Sequence, residues 1–184
     1  TPNDEENYKI FSQSVDVSAA QITITFAVSN FELGDVSSGE ILCDYGTQIS
    51  VLDNQIIAGN STITASPKTI DGAVVEFVSW TNATDGIITQ SLTIIANFEI
   101  TKISVSVSEK NYFATNTDEI LGGSAALENQ SEKVVQYSVG EKIVAFATPT
   151  NGYELYAWIV NGHQQVSTSL NTLELTAETE PLSI

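Results

Sequence analysis

The side chains best suited to nucleophilic or metal chemistry are few and isolated in this sequence. His163 is the only histidine and lies in the turn Val-Asn-Gly-His-Gln-Gln, and Cys43 is the only cysteine and lies in the apolar run Glu-Ile-Leu-Cys-Asp-Tyr. A zinc site needs several His or Cys ligands, and a nucleophile needs a base beside it. We therefore predict no catalytic residue, no cofactor-binding residue and no metal ligand of these types, with His163 solvated and Cys43 a buried apolar side chain.

Carboxylates are abundant, but they are scattered through predicted turns. The stretches at residues 3–7, 35–40 and 82–86 offer the Asp, Glu and Asn oxygens that Ca²⁺ prefers. None of them has the regular ligand spacing of a helix–loop–helix calcium site, and such residues are also ordinary connectors between strands. Ca²⁺ binding therefore stays an alternative, and the absence of a placed carboxylate pair predicts a protein that is not an enzyme.

A lysine and an asparagine that are buried together beside a carboxylate can form a covalent isopeptide bond. Lys9 and Lys102 each open a predicted strand, and Asn97 lies close to Lys102 in the sequence. Asn97 with either Lys102 or Lys9 is the pair that a stapled module would use.

The charge of the chain restricts its partners. There are 23 acidic residues against 6 lysines and no arginine, which gives a net charge of −17. Nucleic acids are bound through clustered Lys and Arg, and anionic membranes attract the same residues, so both partners are disfavoured. No apolar run approaches the roughly 18 residues of a membrane-spanning helix, which predicts no membrane insertion. The acidity indicates either simple solubility or a saline, cation-rich exterior.

The pattern of apolar residues predicts an all-β protein. Ile22, Ile24 and Phe26 alternate with polar residues, as in a half-buried strand, and Gly, Asn and Asp separate this run from similar short runs downstream. The best helical candidate is the stretch at residues 123–133, so at most one short helix is expected. With no methionine at position 1, we expect either a fragment or a processed chain, and removal of a secretory signal would account for the processing.

The second half of the sequence repeats the first in order. Gly46 corresponds to Gly140, the Ala-Ser-Pro at residues 65–67 to the Ala-Thr-Pro at 147–149, and the Phe-Val-Ser-Trp at 77–80 to the Leu-Tyr-Ala-Trp at 155–158. This order predicts two tandem modules at residues 21–100 and 101–184, preceded by an arm at residues 1–20. The last strand of the second module is expected to be incomplete, and the arm is a candidate donor strand for another subunit.

The motifs YGTQISV, TITASP, VEFVSW and LTIIANF, with YSVGEKIVAFATPTNGYELYAWIVNG in the second half, resemble cell-surface repeats of bacteria and archaea that are related to the internalin B-repeat. The resemblance spans about 150 residues, and its evidence is the order of short motifs; the first copy departs from it with DGAVVEF where the family has Gly-Tyr. It implies β-grasp-like or β-sandwich-like modules in tandem on an exported protein, without catalytic residues. The implied partners are other surface modules, copies of the same chain or glycans.

The aromatic residues of the repeated motifs have two interpretations. Exposed rings would form a platform for sugars, whereas buried rings would anchor each module, and their places on alternating strands favour Trp80, Trp158, Phe77 and Phe98 as core anchors. The sequence therefore predicts an extracellular spacer or adhesive stalk. The first alternative is a filament or surface-layer subunit joined by strand donation, and the second is a carbohydrate-binding module.

Overall fold

The computed structural model describes residues 20–110, 122–165 and 171–184, and within them the protein is all-β. The predicted fold class is confirmed, and no described residue is helical. In chain order the strands are β1 (Gln21–Val28), β2 (Gly34–Val36), β3 (Glu40–Asp44), β4 (Gln48–Leu52), β5 (Gln55–Ala58), β6 (Ser61–Pro67), β7 (Ala73–Thr81), β8 (Gly86–Ile87), β9 (Leu92–Ser106), β10 (Gly123–Leu127), β11 (Val134–Ser138), β12 (Lys142–Pro149), β13 (Trp158–Val160), β14 (His163–Gln165), β15 (Thr172–Thr176) and β16 (Leu182–Ser183).

The helical candidate at residues 123–133 begins instead as a strand. β10 pairs with β12 from Gly123 opposite Pro149 to Leu127 opposite Ala145, and Ala125 and Leu127 are buried by this pairing. Buried and exposed residues alternate along this segment, as in a strand, and do not follow the 3.6-residue spacing of a helix. Tertiary pairing therefore outweighs the helix propensity of its alanine, leucine and glutamate residues.

The main sheet is built around β9, which pairs with β1 and β11 along one edge and with β7 and β16 along the other; β3 extends the sheet beyond β1. A second sheet in the first half, which we define as residues 20–100, has the order β2-β6-β5-β4-β8. The second half, residues 101–184, adds the sheet β10-β12-β15 and the hairpin β13-β14. Each half thus places a second set of strands against its part of the main sheet.

Buried side chains form three clusters, and β9 contributes to all of them. Ile94 belongs to the cluster under β1 and β4, Ala96 and Phe98 belong to the cluster under β7, and Ile103 belongs to the cluster of the second half. Ile100 packs against both the cluster of β7 and that of the second half. The cores of the two halves therefore meet at this side chain, on one face of the main sheet.

Candidate functional site: the shared strand β9

β9 is paired along both edges and runs through the predicted module boundary between residues 100 and 101. Along one edge it pairs with β1 at Leu92–Ala96 and then with β11 at residues 102–106. Along the other edge it pairs with β7 at residues 95–103 and then with β16 at residues 105–106. A single strand thus closes the first half and opens the second, and no linker separates them.

A bulge at Thr101 lets β9 serve both cores. β7 pairs Val74 with Lys102 and Val75 with Ile100, so Thr101 has no opposite residue on that strand. Before the bulge the buried positions are even, at Ile94, Ala96 and Phe98, and after it they are odd, at Ile103, Val105 and Val107. Because side chains alternate along a strand, one extra residue is needed for both sets to face the same side of the sheet.

A second contact between the halves lies beside the bulge, at Gly72. The Ser104 N–H donates to the Gly72 carbonyl at 2.6 Å, and Gly72 has a φ of +72°. A Cβ atom at Gly72 would lie 2.8 Å from Cγ of Pro181, so a glycine is required both by the backbone conformation and by the close approach. Together with Asn161, these residues line a shallow groove of about 360 Å³ between the halves.

The two halves make equivalent interactions at their glycine turns. Gly46 and Gly140 follow β3 and β11, with φ values of +88° and +87°. The Gly46 N–H donates to the Ile88 carbonyl at 2.9 Å, and the Gly140 N–H donates to the Ala177 carbonyl at 2.8 Å. Positive φ is accessible to glycine without a steric cost, which explains its place in both turns.

The edge strands β2 and β10 also have equivalent pairings in the two halves. Gly34 lies opposite Pro67 in the pairing of β2 with β6, and Gly123 lies opposite Pro149 in the pairing of β10 with β12. Between the glycine turn and this proline the halves differ, because the first folds into β4, β5 and β6 and the second continues as β12 alone. The first half therefore carries an additional hairpin.

The four predicted anchors lie in or beside the cores. Phe98 is buried, Phe77 and Trp80 are half-buried, and the Trp80 ring meets Phe77 and Phe26 with centroids 5.4 and 6.4 Å apart. Trp80 Nε1 donates to the Asp53 carbonyl at 2.9 Å. Trp158 is 5% exposed, and its Nε1 is buried without a hydrogen-bond partner among the described residues. The rings contact protein rather than forming an open platform.

The remaining candidates are not brought together. His163 opens β14 on the surface, and burial, followed by the charge of Asp44, raises the pKa of the buried Cys43 thiol. Asp35 Oδ1 accepts from the Val36 N–H at 2.9 Å, and Asp85 Oδ1 accepts from the Val51 N–H at 2.7 Å, so these carboxylates cap backbone groups. Across residues 20–110, 122–165 and 171–184 no group of three His, Cys, Asp or Glu side chains could hold a metal.

The isopeptide pair of Lys102 and Asn97 is not formed. Both residues lie on β9, where five positions correspond to about 16 Å of extended chain. Asn97 Nδ2 instead donates to Thr81 Oγ1 at 2.8 Å and to the Ser79 carbonyl at 3.2 Å. Lys9, the alternative partner, lies outside the described residues, as do the acidic stretch at residues 3–7 and residues 1–19 of the predicted arm.

The sharing of one strand by both halves was not predicted from the sequence. The predicted module boundary between residues 100 and 101, with a strand opening at Lys102, implied a strand end there, although no glycine or proline separates Ile100 from Lys102. The signal was the switch of apolar residues from even to odd positions without a turn residue between them. Comparisons with protein-family models, curated proteins and solved structures find no match to this chain, so no relative supplies a role for its residues.

Proposed function

We propose that this chain is an extracellular structural protein, a spacer or adhesive stalk built from two copies of one β-module. The observation that carries the proposal is β9, which belongs to both halves and is hydrogen-bonded along both edges. A joint of this kind resists bending, because rotation of one half against the other would break backbone hydrogen bonds and separate the buried contacts of Ile100. Rigid, catalytically inert modules suit the spacing of surfaces.

The stiffness of the joint can be tested by measuring a distance across it. Spin labels at Ser37 and Glu132, both exposed and in different halves, should give a narrow distance distribution in a Cys43→Ala background. Insertion of four residues, Gly-Ser-Gly-Ser, between Ile100 and Thr101 should broaden it, because the insertion separates the two parts of β9. The same insertion after Asn151, in an exposed turn that is distant in sequence from both labels, is the matched control. A broad distribution in the unmodified protein would contradict a rigid spacer.

The proposed location needs a separate test. Protease added to intact source cells should remove the chain from immunoblots while a cytoplasmic protein survives. Protection of the chain until the cells are lysed would contradict a surface location. The partners under this proposal are other surface modules, copies of the chain or glycans.

Self-association into a filament is the second candidate, and an open sheet edge is the observation that favours it. β3 pairs with β1 and with no other described strand, so one edge from Glu40 to Asp44 has unpaired backbone groups. The carboxylates of Glu40 and Asp44, at the two ends of β3, oppose pairing with a second copy, since charged edge residues discourage association. Salt or millimolar Ca²⁺ should weaken that repulsion, so light scattering should show growth beyond 19.7 kDa under those conditions if filaments form. A constant monomer mass would exclude assembly through this edge.

A carbohydrate-binding module is left as the weakest candidate. The two tryptophans pack into the protein, so a sugar platform would have to use Tyr153 and Tyr156, which are 54% and 59% exposed. Glycan-array binding that is lost on replacement of both tyrosines by alanine would support it.

A further inference from the structure

We infer that each half is a mechanical clamp whose hydrogen bonds are loaded in shear when the chain is under tension. The inference rests on the proposed spacer function and names the two ladders that would carry the load. In the first half the chain enters along β1 and leaves along β9, and these strands are adjacent and parallel. In the second half it enters along β9 and leaves along β16, which are again adjacent and parallel.

The direction of these strands decides how force acts on the ladder. Tension pulls β1 toward its amino end and β9 toward its carboxyl end. Since the two strands run the same way, they are dragged past each other along their axes, and all rungs of the ladder are strained together. Two strands pulled from the same end would instead separate one rung at a time. Several hydrogen bonds must therefore break at once in shear, and each of them stabilises the fold only modestly when broken alone.

The first ladder extends over the register from Ile24 opposite Leu92 to Val28 opposite Ala96. It is lengthened at both ends by single hydrogen bonds. The Ser29 N–H donates to the Ala96 carbonyl at 2.9 Å, and Ser91 Oγ accepts from the Thr23 N–H at 3.0 Å. The rungs under load thus reach from before β9 begins to after β1 ends.

The second ladder is shorter but is held from both sides. The Ile184 N–H donates to the Ser106 carbonyl at 2.8 Å, and the Ser108 N–H donates to the Ile184 carbonyl at 2.7 Å. On the opposite side of β16, Asn161 accepts from the Ser183 N–H through Oδ1 at 2.8 Å, and its own N–H donates to the Ser183 carbonyl at 2.8 Å. Asn161 adopts a φ of +47°, a conformation that asparagine tolerates better than other side chains.

The two clamps act in series through β9. This strand is the exit of the first and the entrance of the second, so tension passes between them through covalent bonds of an already paired strand. No free linker extends before the clamps are loaded.

The test applies force to the first half along two directions that share one attachment point. With Cys43→Ala, cysteine handles at Ala20 and Lys102 load β1 and β9 in shear, whereas handles at Ala20 and Gln90 pull on the amino ends of both strands and peel them apart. All three positions are exposed. Single-molecule pulling at one speed should give a several-fold higher unfolding force in the shear direction. Equal forces in the two directions would overturn the inference, while leaving the distance test of the spacer unaffected.

Two single proline variants test which hydrogen bonds bear the load. The Phe26 N–H donates to Gly39 on the β3 side, so the N–H of the next residue, Ala27, faces β9. Ala27→Pro removes a rung of the clamp, whereas Leu42→Pro lies on β3, where the N–H points to the open edge. Lower shear force for Ala27→Pro alone is expected. An equal fall for both variants would show that general destabilisation, not the clamp, sets the force, and if Ala27→Pro does not fold, the comparison of pulling directions still decides.

Discussion

Phe77 and Trp80 are three positions apart on β7, yet their ring centroids lie 5.4 Å apart on the core side of the strand. Strict alternation would place them on opposite faces. The register explains the contact: Phe77 lies opposite Phe98, Ser79 lies opposite Asn97, and Val78 is the extra residue of a bulge with a 51% exposed side chain. Because of the bulge, the side chains of Phe77 and Trp80 lie on the same face of β7 although they are three positions apart.

Deletion of Val78 should be tolerated. The deletion leaves one residue between Phe77 and Trp80, which matches the single residue between Phe98 and Ala96 on β9. Both rings then face the core without a bulge, and we expect the free energy of unfolding to change by less than about 1 kcal/mol, as for a substitution outside the core. Deletion of Glu76 is the control, because it places Val75 and Phe77 on opposite faces and should unfold the first core. Urea titrations followed by tryptophan fluorescence measure both, and equal losses would refute the bulge explanation.

Deletion of Thr101 should unfold the second half selectively. Without the extra residue, Ile103, Val105 and Val107 would turn to the other face of the sheet. Each is an almost fully buried side chain whose exposure costs about 1.5–3 kcal/mol. In a Trp80→Phe background, Trp158 should become accessible to acrylamide. Thr101→Ala, which keeps the number of residues in β9, should leave Trp158 protected. Exposure of Trp158 in both variants would indicate that the threonine side chain, rather than the number of residues, is required.

Gly72→Ala should loosen the contact between the halves. A side chain at φ +72° is strained, and its Cβ would also collide with Pro181. Gly46→Ala is a matched control, since it has a φ of +88° with nothing within 4 Å of the new atom, and it should cost roughly 1–2 kcal/mol from strain alone. The excess cost at Gly72 should fall when Pro181→Ala is added, which a double-mutant cycle measures. Additive costs would mean that the collision relaxes freely.

Stability should fall at high pH through Tyr137. Burial, and then the charges of Glu141 and Glu128, raise the pKa of this phenol above its ordinary value of 10.0. Above about that pH the unfolded chain loses the proton while the folded chain keeps it, so the unfolded state binds fewer protons and the free energy of unfolding decreases. Tyr137→Phe should make the fall in the free energy of unfolding between about pH 9.5 and 11 shallower, because the contribution of this one raised pKa is removed. Tyr45→Phe, at an exposed phenol, is the control, and identical slopes for the two variants would contradict the assignment.

The sequence determined the class of fold and the turns better than it determined the pairing. Alternation at Ile22, Ile24 and Phe26 identified β1, and the glycine break at Gly46 marked a turn that the structure contains. The shared strand was missed because a bulge and a strand end both interrupt alternation. The lack of a turn residue between Ile100 and Lys102 was a local signal for the bulge, but the pairing of β7 with β9, which establishes it, cannot be derived from one stretch of sequence.

The same limit applies to the second tryptophan motif. Residues 153–157 alternate like a strand, but only Trp158–Val160 forms one, paired with β14. A strand requires a hydrogen-bonded neighbour, and none of the described strands pairs with residues 153–157. Aromatic identity predicted that Trp158 would pack in a core, whereas the orphaned Nε1 depends on contacts that sequence does not display.

For the proposed spacer, the shared strand also constrains how further halves could be added by gene duplication. A break in the coding sequence that falls at equivalent positions, such as Ile22 opposite Cys43 and Ile103 opposite Tyr137, rejoins two strands in the same phase and yields another complete half. A break that is out of phase by one codon would reverse every side chain after the junction. A junction that falls inside β9 must therefore preserve the phase of this strand, because otherwise the added half would turn its core side chains to the other face of the sheet.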